Sequence, residues 1–126
     1  MIVNCFPDER DMYVHSLELA GYDPIELCDP GHAFETAVRL RPSVVITDTM
    51  LAGAAGLDLI RSLRRDPRTH EVTIVVVTGE AFPADRQAVE LAGGDVVLVK
   101  PCLPDDLVSA VDRACSGRQG PLQIAG

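Results

Sequence analysis

Short apolar runs alternate with amphipathic stretches along the whole chain. Ile2–Cys5 reads as a short apolar strand. Glu9–Ala20 follows with helical character and stops at Gly21, a residue that commonly closes a helix. Ile25–Cys28 is a second, weaker strand. Asp29-Pro30-Gly31 turns the chain into a helix in which Ala33, Phe34, Ala37 and Val38 recur at helical spacing. Arg41-Pro42 ends it, because the residue before a proline avoids the helical region. Val44-Val45-Ile46-Thr47 is the third strand, and its lack of polar alternation implies burial on both faces, as in a parallel sheet. The small-residue loop Ala52-Gly53-Ala54-Ala55-Gly56 leads into a helix carrying Leu59, Ile60 and Leu63, stopped at Asp66-Pro67. Thr73–Val77 is the fourth strand, Asp85–Ala92 a helix ending at Gly93-Gly94, and Val96–Val99 the fifth strand. A last helix sets Leu107, Val108, Val111, Ala114 and Cys115 on one face.

Five strands alternating with five helices predict a doubly wound α/β domain with a parallel sheet. Right-handed crossovers then place helices on both faces. The expected domain spans residues 1–115, and residues 116–126 read as a polar, Gly-rich tail or truncated linker.

Composition narrows the class. The 126 residues are 47% hydrophobic and 24% charged, as in a soluble globular domain large enough to bury a core. Eleven basic against nineteen acidic side chains leave a net charge of −8, which disfavours direct contact with nucleic acid or an anionic membrane. No leader-like segment and no apolar run of membrane-spanning length is present, so the expected location is cytoplasmic. Cys5, Cys28, Cys102 and Cys115 lie far apart with no CxxC spacing, and are expected as thiols in a reducing compartment.

Open parallel sheets hold their chemistry at the carboxyl ends of the strands. Asn4-Cys5 follows the first apolar run, Asp48 the third, Thr78 the fourth and Lys100-Pro101 the fifth. A carboxylate, a hydroxyl and an ammonium therefore converge on one edge. Each alone has a plain structural reading: a turn aspartate, a strand-end hydroxyl bonded to backbone, an exposed lysine. Together, in that order, they resemble the response-regulator receiver domain of two-component systems, of the chemotaxis-regulator type. The run from Asp48 to Gly56 also resembles that family's Asp-x-Met-x-Pro-x-x-x-Gly loop, with Ala52 in place of the proline. The resemblance covers Met1 to about Ala114.

The resemblance implies a flavodoxin-like sheet of order 2-1-3-4-5. It implies that Asp48 accepts a phosphoryl group from a histidine kinase or phosphotransfer protein, by positioning and charge neutralisation more than by covalent help from the protein. Lys100 would hold a phosphoryl oxygen, and Thr78 would donate its hydroxyl to another. Mg²⁺ would be held by Asp48, the backbone carbonyl of Met50 and, weakly, Asn4. Cys5, Thr49, Glu80, Val97 and Pro101 would flank the pocket or its switch. The output would be contact with a downstream protein target through the fourth helix, fifth strand and fifth helix, with homodimerisation through the fourth or fifth helix left open. Such a module is not an enzyme acting on an external substrate. Its chemistry is confined to phosphotransfer onto itself and autodephosphorylation.

Three departures bear on that chemistry. Asn4 and Cys5 stand where receivers usually carry two adjacent acidic residues, and Pro7-Asp8 keep the register behind them. Mg²⁺ prefers carboxylate and phosphate oxygens, so the expected Mg²⁺ binding is weak and Lys100 becomes the chief counter-charge for Asp48. Val97 occupies a slot that is often aromatic, and Cys102 one that is often an apolar aromatic. Cys5 and Cys102 are both expected on the active edge, where they would give the pocket redox sensitivity. Asp8, Glu9 and Asp11 read as favourable charges in the first turn of a helix, and His15, His32 and His70 as surface residues. The rival reading is a pseudo-receiver, the same fold used as a phosphorylation-independent interaction module. A flavin protein or hydrolase of similar topology is disfavoured, because no Gly-rich loop follows the first strand and no Gly-x-Ser-x-Gly elbow occurs.

Overall fold

The computed structural model describes residues 1–28, 30–48, 55–79 and 83–117. The elements run β1 (Ile2–Val3), α1 (Pro7–Leu19), β2 (Glu26–Leu27), α2 (Pro30–Leu40), β3 (Val44–Asp48), α3 (Ala55–Arg65), β4 (Thr73–Thr78), α4 (Pro83–Ala92), β5 (Val96–Val99) and α5 (Pro104–Gly117). The strands form one parallel sheet in the order β2-β1-β3-β4-β5, as the resemblance implied.

The apolar strands sort their side chains by the two-residue period of the strand. In β4, Ile74 and Val76 face one side, with Val3 and Val45, and pack under Ala33, Ala37, Leu59, Ile60, Leu63 and Val89 from α2, α3 and α4. Val75 and Val77 face the other side, with Ile2, Val44 and Ile46, and meet Tyr13, Val14, Leu17, Leu107 and Val111 from α1 and α5. The central strands β1, β3 and β4 are thus buried on both faces, the physical reason that their apolar runs lack polar alternation.

Several boundaries differ from the sequence expectation. β1 stops at Val3 rather than Cys5, although the Asn4 N–H still donates to the Leu27 carbonyl at 3.0 Å. The Asn4 side-chain oxygen then accepts the Phe6 N–H at 2.7 Å, a local turn that pulls the chain out of the ladder. α1 accordingly begins at Pro7, where a proline suits the first helical position, and not at Glu9. α4 likewise begins at Pro83 rather than Asp85. β3 and β4 each extend one residue further than expected, to Asp48 and Thr78, so both functional side chains sit inside the ladder. α5 continues to Gly117, two residues past the expected domain end, and residues 118–126 lie outside the described part. No helix among the described residues is long and apolar enough to cross a membrane.

One side chain ties the far side of the sheet together. The Arg64 guanidinium donates to the carbonyls of His70 at 2.7 Å, Val72 at 2.6 Å and Gly93 at 2.8 Å, and pairs with Asp95. Asp95 in turn accepts the Ile74 N–H at 2.8 Å. The chain leaves α4 through Gly93 at a φ of 118°, a conformation that favours glycine, and a Cβ there would strike Arg64. Arg64→Met keeps the stem but strands these acceptors. Urea denaturation should show a stability loss of about 2–3 kcal/mol with an unchanged slope.

Candidate functional site

The carboxyl ends of β1, β3, β4 and β5 meet at one edge of the sheet. Asp48 closes β3 and is only 1% exposed. It pairs in the ladder with Val77, so buried Thr78 lies one step further along the neighbouring strand. Thr78 pairs with Val99, and its carbonyl accepts the Lys100 N–H at 2.7 Å, which fixes where the Lys100 side chain begins. The Lys100–Pro101 peptide is cis, with Pro101 exposed. The Tyr13 hydroxyl, buried, donates to the Cys102 carbonyl at 3.2 Å and anchors the segment after β5 to α1. Burial pushes the Tyr13 hydroxyl well above the ordinary tyrosine pKa, and the neighbouring Cys102 and Glu9 add to it, so it stays a donor.

Lys100 Nζ donates to Asp48 Oδ2 at 2.5 Å. A buried carboxylate is costly without an opposite charge, and this ammonium supplies it. A second carboxylate reaches the same ammonium: Glu9 Oε1 lies 3.1 Å from Lys100 Nζ. The same Glu9 oxygen accepts Asn4 Nδ2 at 2.8 Å. Asn4 is itself buried, and its backbone carbonyl accepts Arg10 Nη1 at 2.9 Å. The Phe6 ring completes the surround, its centroid 5.1 Å from Lys100 Nζ. Burial alone would lower the Lys100 pKa. The hydrogen bonds and charges of Asp48 and Glu9 more than offset it, so the pKa lies above the ordinary lysine value and the side chain stays cationic.

The structure thus brings together Asp48, Thr78, Lys100, Asn4 and Pro101 at the expected edge. Cys5 is beside them, half-buried, with its thiol on the Cys28 carbonyl. Val97 pairs with Val76 and packs half-buried against the core on the α2, α3 and α4 side. Thr49, Met50 and Glu80 lie outside the described residues. The expectation that Cys5 and Cys102 both lie on the active edge is corrected for Cys102, which is buried in the cluster beneath α1 and α5, whereas Cys5 packs on the opposite face of the sheet. Burial, with Asp106 nearby, pushes the Cys102 thiol up and keeps it protonated. His15, His32 and His70 are all exposed, away from this edge.

Glu9 and Phe6 are the members that sequence reasoning missed. Glu9 was read as a charge complementing a helix N-terminus. The signal that finds it is the helix start. With Pro7 first, Glu9 is third, the position from which a glutamate side chain reaches back towards the residue before the helix. Here the Phe6 N–H that would receive it is already taken by Asn4 Oδ1, and the carboxylate goes instead to Asn4 Nδ2 and Lys100. As to a metal ion, the described residues contain no group of three or more His, Cys, Asp or Glu side chains placed to hold one. Asn4 Oδ1, the oxygen expected to face Mg²⁺, is engaged by Phe6. The edge does offer a buried carboxylate with an ammonium bound to it.

Comparison with known proteins places the fold in a family. The family model described as the response regulator receiver domain matches residues 1–112. The chain is 33% identical over 113 residues to the phosphate regulon transcriptional regulatory protein PhoB of Pseudomonas aeruginosa, covering 89% of this chain and 48% of that protein. It is 32% identical over 111 residues to the DNA-binding response regulator MtrA of Mycolicibacterium smegmatis, covering 88% and 47%. The chain therefore spans about half the length of the curated relatives it matches. Among solved structures, the chemotaxis response regulator CheY4 of Vibrio cholerae superposes with a TM-score of 0.83 at 26% identity, covering 90% of this chain and 94% of that one. A response regulator from Chloroflexus aurantiacus gives 0.85 at 26% identity, covering 91% and 94%. With its sheet order, its strand-end carboxylate and lysine, and a family match over nearly its whole length, this chain belongs to the response regulator receiver domains, the signal-transduction modules of two-component systems.

Proposed function

We propose that Asp48 accepts a phosphoryl group from a histidine kinase or phosphotransfer protein, and that the phosphorylated domain passes the signal on by contact with a downstream protein. The observation that supports this most is the buried Asp48 carboxylate bound by Lys100 Nζ at 2.5 Å, with Thr78 beside it in the ladder. A carboxylate oxygen of Asp48 attacks the phosphorus of the phosphohistidine in line. The new O–P bond forms as the P–N bond breaks. The imidazole nitrogen leaves with the bonding pair, and solvent protonates it. Lys100 then holds a phosphoryl oxygen as a fixed cation, and the Thr78 hydroxyl donates to another. Hydrolysis of the acyl phosphate resets the domain. The chain turns over no other substrate.

Receiver domains generally bind Mg²⁺ at this pocket. Here Asp48, with an oxygen of the incoming phosphoryl group, would hold it, since Mg²⁺ is commonly bound by one or two carboxylates plus phosphate oxygens. Bound there it would neutralise charge on the transferring group. Because Asn4 and Cys5 replace the acidic pair, we expect the unphosphorylated protein to bind it weakly. The net charge of −8 favours protein partners over nucleic acid or membrane contact by this domain, and a cytoplasmic setting is the location we propose for it.

Asn4 also favours a second reading, a pseudo-receiver that binds its partner without phosphorylation, because its side chain is already satisfied within the protein. Incubation with a small acyl-phosphate donor over a series of Mg²⁺ concentrations, followed by intact mass, separates the two. The expected outcome is a gain of one phosphoryl group, absent in Asp48→Asn and slowed about tenfold or more in Lys100→Ala. No gain at any Mg²⁺ concentration overturns the phosphoacceptor reading and leaves the interaction module.

A further inference from the structure

We propose that Glu9, held in place by Asn4, is a positioning residue that keeps the Lys100 ammonium at the mouth of the Asp48 pocket, in a chain whose β1 end lacks the acidic pair. The proposal rests on the reading of Asp48 as phosphoacceptor and adds a residue to that machinery. The chain of contacts is continuous. Asn4 Oδ1 is fixed by the Phe6 N–H at 2.7 Å, which aims Asn4 Nδ2 at Glu9 Oε1, 2.8 Å away. That oxygen is 3.1 Å from Lys100 Nζ, which reaches Asp48 Oδ2 at 2.5 Å. The Glu9 side chain is 24% exposed and that of Lys100 21%, so the pair is partly shielded from solvent and weakened by it less than a surface pair.

The two carboxylates do different work. When Asp48 becomes an acyl phosphate, the oxygen esterified to phosphorus loses its charge, and Asp48 by itself no longer anchors the lysine. Glu9 does, because it is not consumed. It keeps the ammonium within reach of the arriving phosphoryl oxygens, at no cost in side-chain ordering at the moment of transfer. Asn4 acts only through Glu9. It donates to the carboxylate and so orients it, and an aspartate in its place would set two negative charges at hydrogen-bond distance. Restoring an acid at position 4 therefore breaks the relay rather than repairing the site.

The test uses the whole chain with ¹⁵N-labelled lysine. Nitrogen NMR of the Lys100 ammonium reports its anchoring without any phosphorylation, and the rate of phosphorylation by a small acyl-phosphate donor is measured alongside. In Glu9→Ala we expect the Lys100 ammonium pKa to fall towards the ordinary lysine value and phosphorylation to slow about tenfold, the scale of one charge-assisted hydrogen bond. Glu9→Gln, which keeps the acceptor oxygen, should recover part of both. Asn4→Ala should move both in the same direction by less, and the double variant Asn4→Ala, Glu9→Ala should be no worse than Glu9→Ala alone. An unchanged Lys100 pKa and a rate within twofold in Glu9→Ala overturns the proposal. Additive effects of the two substitutions overturn the role given to Asn4. Failure of the wild-type chain to take up phosphate defeats the phosphoacceptor reading instead, and leaves the Lys100 pKa to decide whether Glu9 anchors it.

Discussion

The structure around the functional edge depends on one ammonium group. Asp48 is buried at the end of a strand flanked mostly by apolar side chains, where an ionised carboxylate needs a partner. Lys100 is that partner. Its side chain must start at the end of β5 and cross to β3 over β4, so the ladder that pairs Asp48 with Val77 and Thr78 with Val99 has to hold its register. The Lys100 N–H on the Thr78 carbonyl fixes the near end of that crossing, and the Tyr13 hydroxyl on the Cys102 carbonyl fixes the chain just beyond it. A shift of one residue in β4 or β5 would turn every side chain to the opposite face and take the lysine off the carboxylate.

The layers of the fold were legible because the strands are apolar on both faces. A run such as Thr73–Thr78, with valines at alternate positions on either side, can only be stable between two helical layers, and α1 with α5 on one face and α2, α3 and α4 on the other provide them. The element ends were less legible, for local reasons. Asn4 interrupts β1 by bonding the Phe6 N–H, a choice between ladder and turn that hydrophobic pattern does not record. Asp48 and Thr78 were expected just past their strands. They lie within them because pairing with β4 and β5 continues as long as a neighbour's backbone is available, whatever the polarity of the side chain.

The site was legible to the extent that strand ends specify it. Asp48, Thr78 and Lys100 each follow an apolar run, and a parallel sheet brings such residues to one edge. Glu9 does not follow a strand. It reaches the edge because a proline sets the helix start two residues earlier than the apolar pattern suggests, and because the first turn of a helix after a short strand faces back over the strand end. Its charge fits an ordinary helix N-terminus equally well, so nothing in its own sequence context separates the two roles. Cys102 went astray for a related reason. It follows Lys100-Pro101 closely in sequence, but the chain turns inward beneath α1 after the cis peptide, and the thiol is buried among Tyr13 and Leu107 instead of facing the pocket.

These particulars bear on how the missing acidic pair is to be understood. Without two carboxylates at the end of β1, Lys100 and Asp48 alone would balance in charge, and the strand end could stand open to solvent. Neither is the case. Asn4 has both side-chain atoms occupied, one by the Phe6 N–H and one by Glu9, and Glu9 brings one negative charge back to the edge. Asp48, Glu9 and Lys100 together then carry a single net negative charge. A pair of acids on β1 in place of Asn4 and Cys5 would make that charge more negative and demand a divalent cation to balance it. One acid on α1, hydrogen-bonded by an amide, leaves a single net negative charge once Lys100 is counted. The amide at the strand end and the reach of the helix are therefore two parts of one electrostatic arrangement, in which Lys100 faces two carboxylates, Asp48 and Glu9, from separate elements.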